Sequence, residues 1–248
     1  ASGSLPDAFH SASMPITDLM KYGEQGLFIP LNDLIDEYAP NFKKILEENP
    51  DVKKALTMPD GNIYGLPQMS EPSFYSYRFG PKPFIQEEWL NTLGLEMPET
   101  TEEYYEYLKA VKEGDPNGNG EADEIPFGGP GIDALFSYLR GSFGVSNAGS
   151  SNGNIDIDPE TEELRFFPIT DGYKQLLEYM NKLYSEGLIE QNIFSIDHQQ
   201  YLANQTEGRY GSVVWYSPTN IMGDEVGSKY TGMPVLEGPE GHKLWTTF

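Results

Sequence analysis

Asp115-Pro116-Asn117-Gly118-Asn119-Gly120-Glu121-Ala122-Asp123-Glu124 sets oxygen-bearing side chains at alternate positions, turns at Gly120 and closes on two carboxylates. A hard cation such as calcium takes several oxygen ligands from a loop that curls around it, and glycine at the sixth place permits the curl. Asp115, Asn117, Asn119 and Gly120 fall at places one, three, five and six of the EF-hand loop pattern. The second half departs from that pattern. Place twelve is Pro126, which has no side-chain oxygen, so Asp123 and Glu124 are expected to close the shell, with Glu121 giving its backbone carbonyl. A plain polar turn is the competing reading, since Asn-Gly and Asp-Pro pairs mark turns, but a turn needs far fewer such residues. The expected ligands are therefore Asp115, Asn117, Asn119, Glu121, Asp123 and Glu124. The expected role is structural, because little in the loop leaves a coordination place open for chemistry.

Outward from the loop, the chain alternates helices with short strands. Thr100–Glu113 runs into it as a helix, with Thr100 as N-cap and Glu103 three places on, the signature of a capping box. Its apolar stripe is Tyr104, Tyr107, Leu108 and Val111. Helical spacing is clearest over Thr170–Glu186, where Tyr173, Leu176, Leu177, Met180, Leu183 and Tyr184 share a face and Gly187 ends the run. Further helices are predicted at 17–25, 31–38, 41–56, 83–93 and 132–143. Strands are predicted at 5–10, 63–66, 74–79, 208–215, 230–236 and 243–248, and a hairpin at 152–167 around Asp158-Pro159-Glu160-Thr161. Asp156 and Asp158 sit close enough in sequence to suggest a second metal, but the hairpin turn accounts for them better. Alternation of this kind argues for an α/β fold.

Composition narrows the function. Sixteen basic against thirty-nine acidic residues give a net charge of −23, which argues against binding nucleic acid or an anionic membrane surface. The absence of cysteine removes disulfides, thiol catalysis and cysteine-ligated zinc. No stretch approaches the roughly twenty apolar residues of a membrane span. The three histidines, His10, His198 and His242, share no metal-binding spacing, and there is no nucleophile elbow. Gly128-Gly129-Pro130-Gly131 lacks the Lys-Ser/Thr of a phosphate loop. Nothing local marks a catalytic pair among the many carboxylates.

Taken in order, several segments form a series. Leu5-Pro6-Asp7-Ala8-Phe9 precedes Gly26-Leu27-Phe28-Ile29-Pro30-Leu31-Asn32-Asp33-Leu34-Ile35, and then comes Pro59-Asp60-Gly61-Asn62-Ile63-Tyr64-Gly65-Leu66-Pro67. Trp89-Leu90-Asn91-Thr92-Leu93-Gly94-Leu95 comes before the metal loop, and Tyr179-Met180-Asn181-Lys182-Leu183-Tyr184-Ser185-Glu186-Gly187-Leu188-Ile189 after it. Gly232-Met233-Pro234-Val235-Leu236-Glu237-Gly238-Pro239-Glu240-Gly241 closes the series. This order resembles the extracellular solute-binding lipoproteins of bacterial ABC importers, in particular the oligosaccharide binders. The metal loop is similar to that of the alginate-binding branch.

The resemblance implies a periplasmic-binding-protein-like fold of two α/β lobes with sugar held in the cleft. Residues 1–71 plus 233–248 would form a partial first lobe, and 72–232 a nearly complete second lobe carrying the calcium loop. The family's opening strand and long C-terminal portion have no counterpart in the sequence. Sugar sites combine aromatic rings for the apolar face with carboxylates and amides for the hydroxyl rim. By position in the resemblance, Phe9, His10, Ser13 and Glu71 are expected from the first lobe and Tyr138, Trp215 and Tyr216 from the second. Also implied are a non-enzymatic role, a permease partner in the membrane, a monomer, and a place at the outer membrane face, lipid-anchored, or in the periplasm. A secreted, calcium-stabilised carbohydrate-active enzyme and a sensor or adhesion module are the alternatives.

Overall fold

Four short helices fill the start of the chain because Pro40 and Pro50 each open one: α1 (Ile16–Glu24), α2 (Asn32–Tyr38), α3 (Pro40–Glu48) and α4 (Pro50–Leu56). Proline at the first helical turn loses no needed hydrogen bond and is preset for the helix. The computed structural model describes residues 6–10, 12, 14–69, 80–149 and 153–245. It divides into two compact units, Ala1–Glu71 and Pro72–Phe248.

In the first unit Ile35, Leu46 and Ile63 form a small core, with Leu31, Phe42, Val52 and Leu56 packed on it. Asn32 ties the following loop to this core: its amide donates to the Gly61 carbonyl and its oxygen accepts from the Ile63 N–H. The Asp60-Gly61-Asn62 turn is present, closed by the Asp60 carboxylate on the Asn62 N–H and the Tyr64 hydroxyl. The strands expected at 5–10 and 63–66 are not formed by the described residues there. The strand expected at 74–79 lies outside the described residues.

In the second unit, α5 (Glu87–Leu93), α6 (Thr101–Glu113), α7 (Asp133–Leu139), α8 (Asp171–Ser185), α9 (His198–Thr206) and α10 (Pro218–Gly227) surround a four-stranded sheet. Its strands are β1 (Lys82–Gln86), β2 (Ile125–Phe127), β5 (Tyr210–Trp215) and β6 (Tyr230–Gly232), in the order β2-β5-β1-β6. β2 and β5 run parallel, with Ile125 opposite Tyr210 and Phe127 opposite Ser212. β1 is antiparallel to both β5 and β6. A hairpin of β3 (Ile155–Ile157) and β4 (Leu164–Phe166) stands apart from this sheet.

α6 lies on β5 through two tyrosines. The Tyr104 hydroxyl meets Ser212 Oγ at 2.7 Å, and the Tyr107 hydroxyl donates to the Gly211 carbonyl at 2.8 Å. A β-carbon at Gly211 would stand 2.9 Å from the Pro126 carbonyl oxygen of β2 and 3.2 Å from the Val111 side chain of α6, so glycine is needed where β5 lies between the two. The capping box is formed, with Thr100 accepting from the Glu103 N–H and Glu103 accepting from the Thr100 N–H.

The helix predicted over 83–93 is half strand. Its apolar residues fit a helical period, yet Lys82–Gln86 pairs with strands on both sides. Pro83 tolerates this place because it offers its carbonyl, which accepts from the Met233 N–H at 3.0 Å. Residues 233–245, expected with the first lobe, make their described contacts within the second unit. Leu236 is fully buried there, Ser142 Oγ donates to its carbonyl at 2.7 Å, and the Glu237 carbonyl accepts from the Thr101 N–H at 3.0 Å.

Candidate functional site: a cation loop and an aromatic sheet end

The cation loop leaves α6 at Gly114 and enters β2 at Ile125. Asp115 folds it by accepting from two backbone groups, the Asn119 N–H at 3.1 Å and the Gly120 N–H at 2.9 Å. Asn117 Oδ1 accepts from the Asn119 N–H, and Asn119 Oδ1 from the Glu121 N–H. The amide nitrogens of Asn117 and Asn119 both reach Asp123 Oδ1, at 3.0 and 3.1 Å. Asp115, Asn117, Asn119 and Asp123 are thus joined in one bonded set. Burial raises the Asp123 carboxyl, but the two amides and the Arg209 guanidinium outweigh it and hold the group below its ordinary value.

Among the described residues no three acidic or histidine side chains gather as a cation cage. The loop's oxygens are mixed, from carboxylates, amides and a carbonyl, which is the ligand chemistry a hard cation accepts. One observation in the loop asks for a further partner: Glu124 Oε1 is buried and makes no hydrogen bond. A buried carboxylate oxygen left without a donor is costly, and a cation would remove that cost. On this ground the residues fit calcium.

At the opposite ends of β2 and β5 lies a second group. In open sheets with parallel strands, ligands bind beyond the carboxyl ends. Here those ends carry Gly128-Gly129, after β2, and Trp215-Tyr216, at the close of β5. Trp215 is half-buried, its ring 6.4 Å from Tyr201 and 6.0 Å from Tyr216. Tyr216 is 54% exposed. Lys82 lies opposite Trp215 in the sheet. Beside it an apolar cavity of about 340 Å³ is lined by Lys82, Phe84, Met233, Val235 and Trp245 among others.

The other expected residues are placed as follows. Tyr138 is buried, and its hydroxyl donates to the Pro234 carbonyl at 2.7 Å, which makes it a strut between α7 and the C-terminal segment. Phe9 is 54% exposed with its ring 6.1 Å from Phe28, and His10 is exposed in the same unit. Ser13 and Glu71 lie outside the described residues. Asp156 is no metal ligand: it is fully buried and paired in two-pronged fashion with Arg165, at 2.8 and 2.7 Å. Asp158 caps its hairpin turn by accepting from Glu160 and Thr161.

Sequence reasoning missed Lys82 and Trp245, which no local pattern marks. It also missed a buried carboxyl, Glu190, held by Asn204 Nδ2 at 2.8 Å and the Tyr210 hydroxyl at 2.9 Å. Burial pushes that carboxyl above its ordinary value, and the two donors oppose the shift. The same spot explains Gly128, where a β-carbon would stand 1.9 Å from the Tyr210 ring.

Parallel strands that end at glycines and at half-buried and exposed aromatic rings, with an oxygen-rich loop at their start, give this α/β unit the features of a ligand-binding fold. The model of the bacterial extracellular solute-binding protein family matches residues 1–243, and the chain belongs to that family. It is 38% identical over 251 residues to the fructooligosaccharide ABC transporter substrate-binding protein FusA of Streptococcus pneumoniae serotype 4, covering 98% of this chain and 45% of that one. The structure of a FusA EF-hand mutant in complex with fructo-nystose matches with a TM-score of 0.83 at 35% identity, over 100% of this chain and 50% of that one. Alginate-binding protein AlgQ2, solved without calcium ion, matches with a TM-score of 0.72 at 27% identity, over 91% and 46% of the two chains. The chain spans about half the length of these relatives. The resemblance to oligosaccharide and alginate binders read from the motif series holds.

Proposed function

We propose that the protein captures an oligosaccharide, of the fructo-oligosaccharide class, between two lobes and hands it to a membrane permease without chemical change. The observation that carries this reading is the match along the whole chain to a fructooligosaccharide-binding relative. The aromatic pair at the carboxyl end of β5 supports it, because a furanose or pyranose ring presents an apolar face to such side chains and its hydroxyls to polar neighbours. Trp215 and Tyr216 would supply stacking from the second lobe, with Lys82 reaching hydroxyls. Phe9, His10, Ser13 and Glu71 would face the sugar from the first lobe, and Tyr138 would hold the C-terminal segment in place behind the site. Residues 1–71 belong to the first lobe and 72–232 to the second. Residues 233–248 begin the return to the first lobe, their start packed on the second.

Closure follows when a sugar makes more contacts in the closed arrangement than in the open one. The receptor works as a monomer on the outer face of the membrane, lipid-anchored, or in the periplasm. Asp115, Asn117, Asn119, the Glu121 carbonyl, Asp123 and Glu124 would hold calcium. The ion supplies charge neutralisation, joining the end of α6 to the start of β2.

A thermal-shift and calorimetric screen of kestose, nystose, raffinose and alginate oligosaccharides tests the proposal on the full-length protein. A dose-dependent rise in melting temperature with the fructans, and recovery of the sugar unchanged, is the expected result. Hydrolysis of the sugar would replace the receptor with the enzyme alternative. No shift with any saccharide would overturn the sugar reading.

A further inference from the structure

Arg209 stands where the cation loop meets the start of β5, and nothing in the family match gives it a role. Its backbone is fixed on both sides. Its carbonyl accepts from the Ile125 N–H at 2.8 Å, and its own N–H donates to the Asn204 carbonyl at 3.1 Å. Its side chain points into the loop, with Nε 3.8 Å from Asp123 Oδ2 and 2.6 Å from Glu207 Oε2. The two oxygens of Asp123 thus have different neighbours, hydrogen-bond donors on Oδ1 and, on Oδ2, a charge at ion-pair distance that makes no hydrogen bond. Oδ1 takes the amides of Asn117 and Asn119, and Oδ2 faces the guanidinium.

A fixed unit charge in this position has two opposite effects. Without a cation it offsets the charge of the loop's carboxylates, and so holds the empty loop together. With a divalent cation at the same carboxylate it repels the ion, since like charges a few ångströms apart in a partly solvated site still interact strongly. Glu207 moderates that repulsion by pairing with the same guanidinium. A polar cleft of about 730 Å³ opens beside Asn117, Asn119, Asp123, Glu207 and Arg209, so the side chain has solvent and room on one face.

We propose that Arg209 is a built-in competitor of the loop's cation, which stabilises the empty loop, weakens calcium binding and has its strength set by Glu207. The inference rests on the calcium reading given above. Arg209 is the positioning group here, and the metal ligands remain those of the loop.

Calcium titration by calorimetry, with melting curves in calcium and in chelator, tests it on the full-length protein and three variants. Arg209→Gln is expected to bind calcium at least about tenfold more tightly, the scale of removing one unit charge about 6 Å from a divalent ion at full bulk-water screening. The same variant should melt lower than wild type in chelator, so the gap between its calcium and chelator curves widens. Arg209→Lys keeps the charge and should stay within about twofold of wild type. Glu207→Gln frees the guanidinium and should bind about threefold more weakly. A residue that only braced the β2–β5 junction would give the opposite sign, with weaker calcium binding in Arg209→Gln. Equal or weaker binding by a folded Arg209→Gln therefore overturns the proposal. Where that variant fails to fold, unchanged or tighter binding by Glu207→Gln overturns it instead. No calcium uptake by wild type and variants alike sinks the calcium reading and this one together. Uptake by wild type without the gain in Arg209→Gln sinks this one alone.

Discussion

Asp115→Ala is the sharpest probe of the cation loop, because the carboxylate has two separable jobs. It accepts the Asn119 and Gly120 N–H groups at 3.1 and 2.9 Å, and in our proposal it also ligates calcium. The ligation part scales with saturation: at one hundred times the dissociation constant, a ligand bound only by the folded state adds about 2.7 kcal/mol. In a domain of this size about 1 kcal/mol moves the melting temperature by about 2–4 °C. Wild type should therefore melt about 5–11 °C higher in saturating calcium than in chelator. Asp115→Ala should lose nearly all of that gap. It should also melt a few degrees below wild type in chelator, because two backbone donors lose their acceptor. Asp115→Asn keeps one acceptor oxygen and should recover part of the second loss but not the first. Differential scanning calorimetry reads both. Identical wild-type curves in calcium and in chelator would refute the reasoning at its first step, whatever the variants do.

Four further outcomes are expected. Asp156→Ala removes the partner of Arg165 and the acceptor of the Ser146 N–H, at 2.8 Å; breaking such a pair costs about 3–5 kcal/mol, which urea denaturation would show, and a loss below 1 kcal/mol would contradict it. Glu190 has its carboxyl raised by burial, so the folded state holds this proton to a higher pH than the unfolded chain. Its contribution is fully present below the ordinary glutamate range and is lost as pH rises through the folded value. Glu190→Gln should therefore gain stability relative to wild type as pH rises above the ordinary glutamate range, and a gap that shrinks as pH rises would count against the assignment. Tyr216→Ala should weaken fructo-oligosaccharide binding about five- to tenfold with little change in melting, as loss of one stacking partner predicts. Trp215→Leu should lose affinity and stability together, because its ring also packs near Tyr201. Calorimetric titration with nystose decides both.

What the sequence made legible was local. The Thr100–Glu103 box, the Asp158 turn and the stripe of α8 are each decided within a few residues. The box and turn are present, and the stripe is too except for Leu177, which is exposed because it sits at the edge of the buried face formed by Leu176, Met180 and Leu183. What it hid depends on distant partners. Lys82–Gln86 has helix-like spacing and becomes a strand only because β5 and β6 flank it. α9 escaped because its buried side chains include Asn204 and Gln205, which draw no apolar stripe. Asn204 is buried because Glu190, fourteen positions earlier, accepts its amide. α10 is interrupted at Gly223, whose backbone leaves the helical region, so its periodicity is broken in sequence as it is in space. The bonded set of Asp115, Asn117, Asn119 and Asp123 was legible because its members are nearly contiguous. Arg209 was not, because its approach to Asp123 spans the β2–β5 pairing.

That pairing also bears on what the proposed cation would do. β2 and β5 are parallel and both begin at the loop: Glu124 precedes Ile125, Arg209 precedes Tyr210, and Ile125 and Tyr210 are register partners. Both strands then run away from it toward Gly128-Gly129 and Trp215-Tyr216. Six residues of β5 at about 3.3 Å each put the aromatic end roughly 17–20 Å from the loop. An ion so far away cannot contact a sugar stacked on Tyr216, and its field is largely screened over that distance. Its effect must pass through the strands themselves, by fixing where the two parallel strands start. Removal of calcium should thus loosen the sheet and lower affinity for all sugars by a similar factor, leaving their rank order unchanged. Comparing kestose, nystose and raffinose affinities in calcium and in chelator tests this, and a reversal of rank would mean that the ion shapes the sugar site directly.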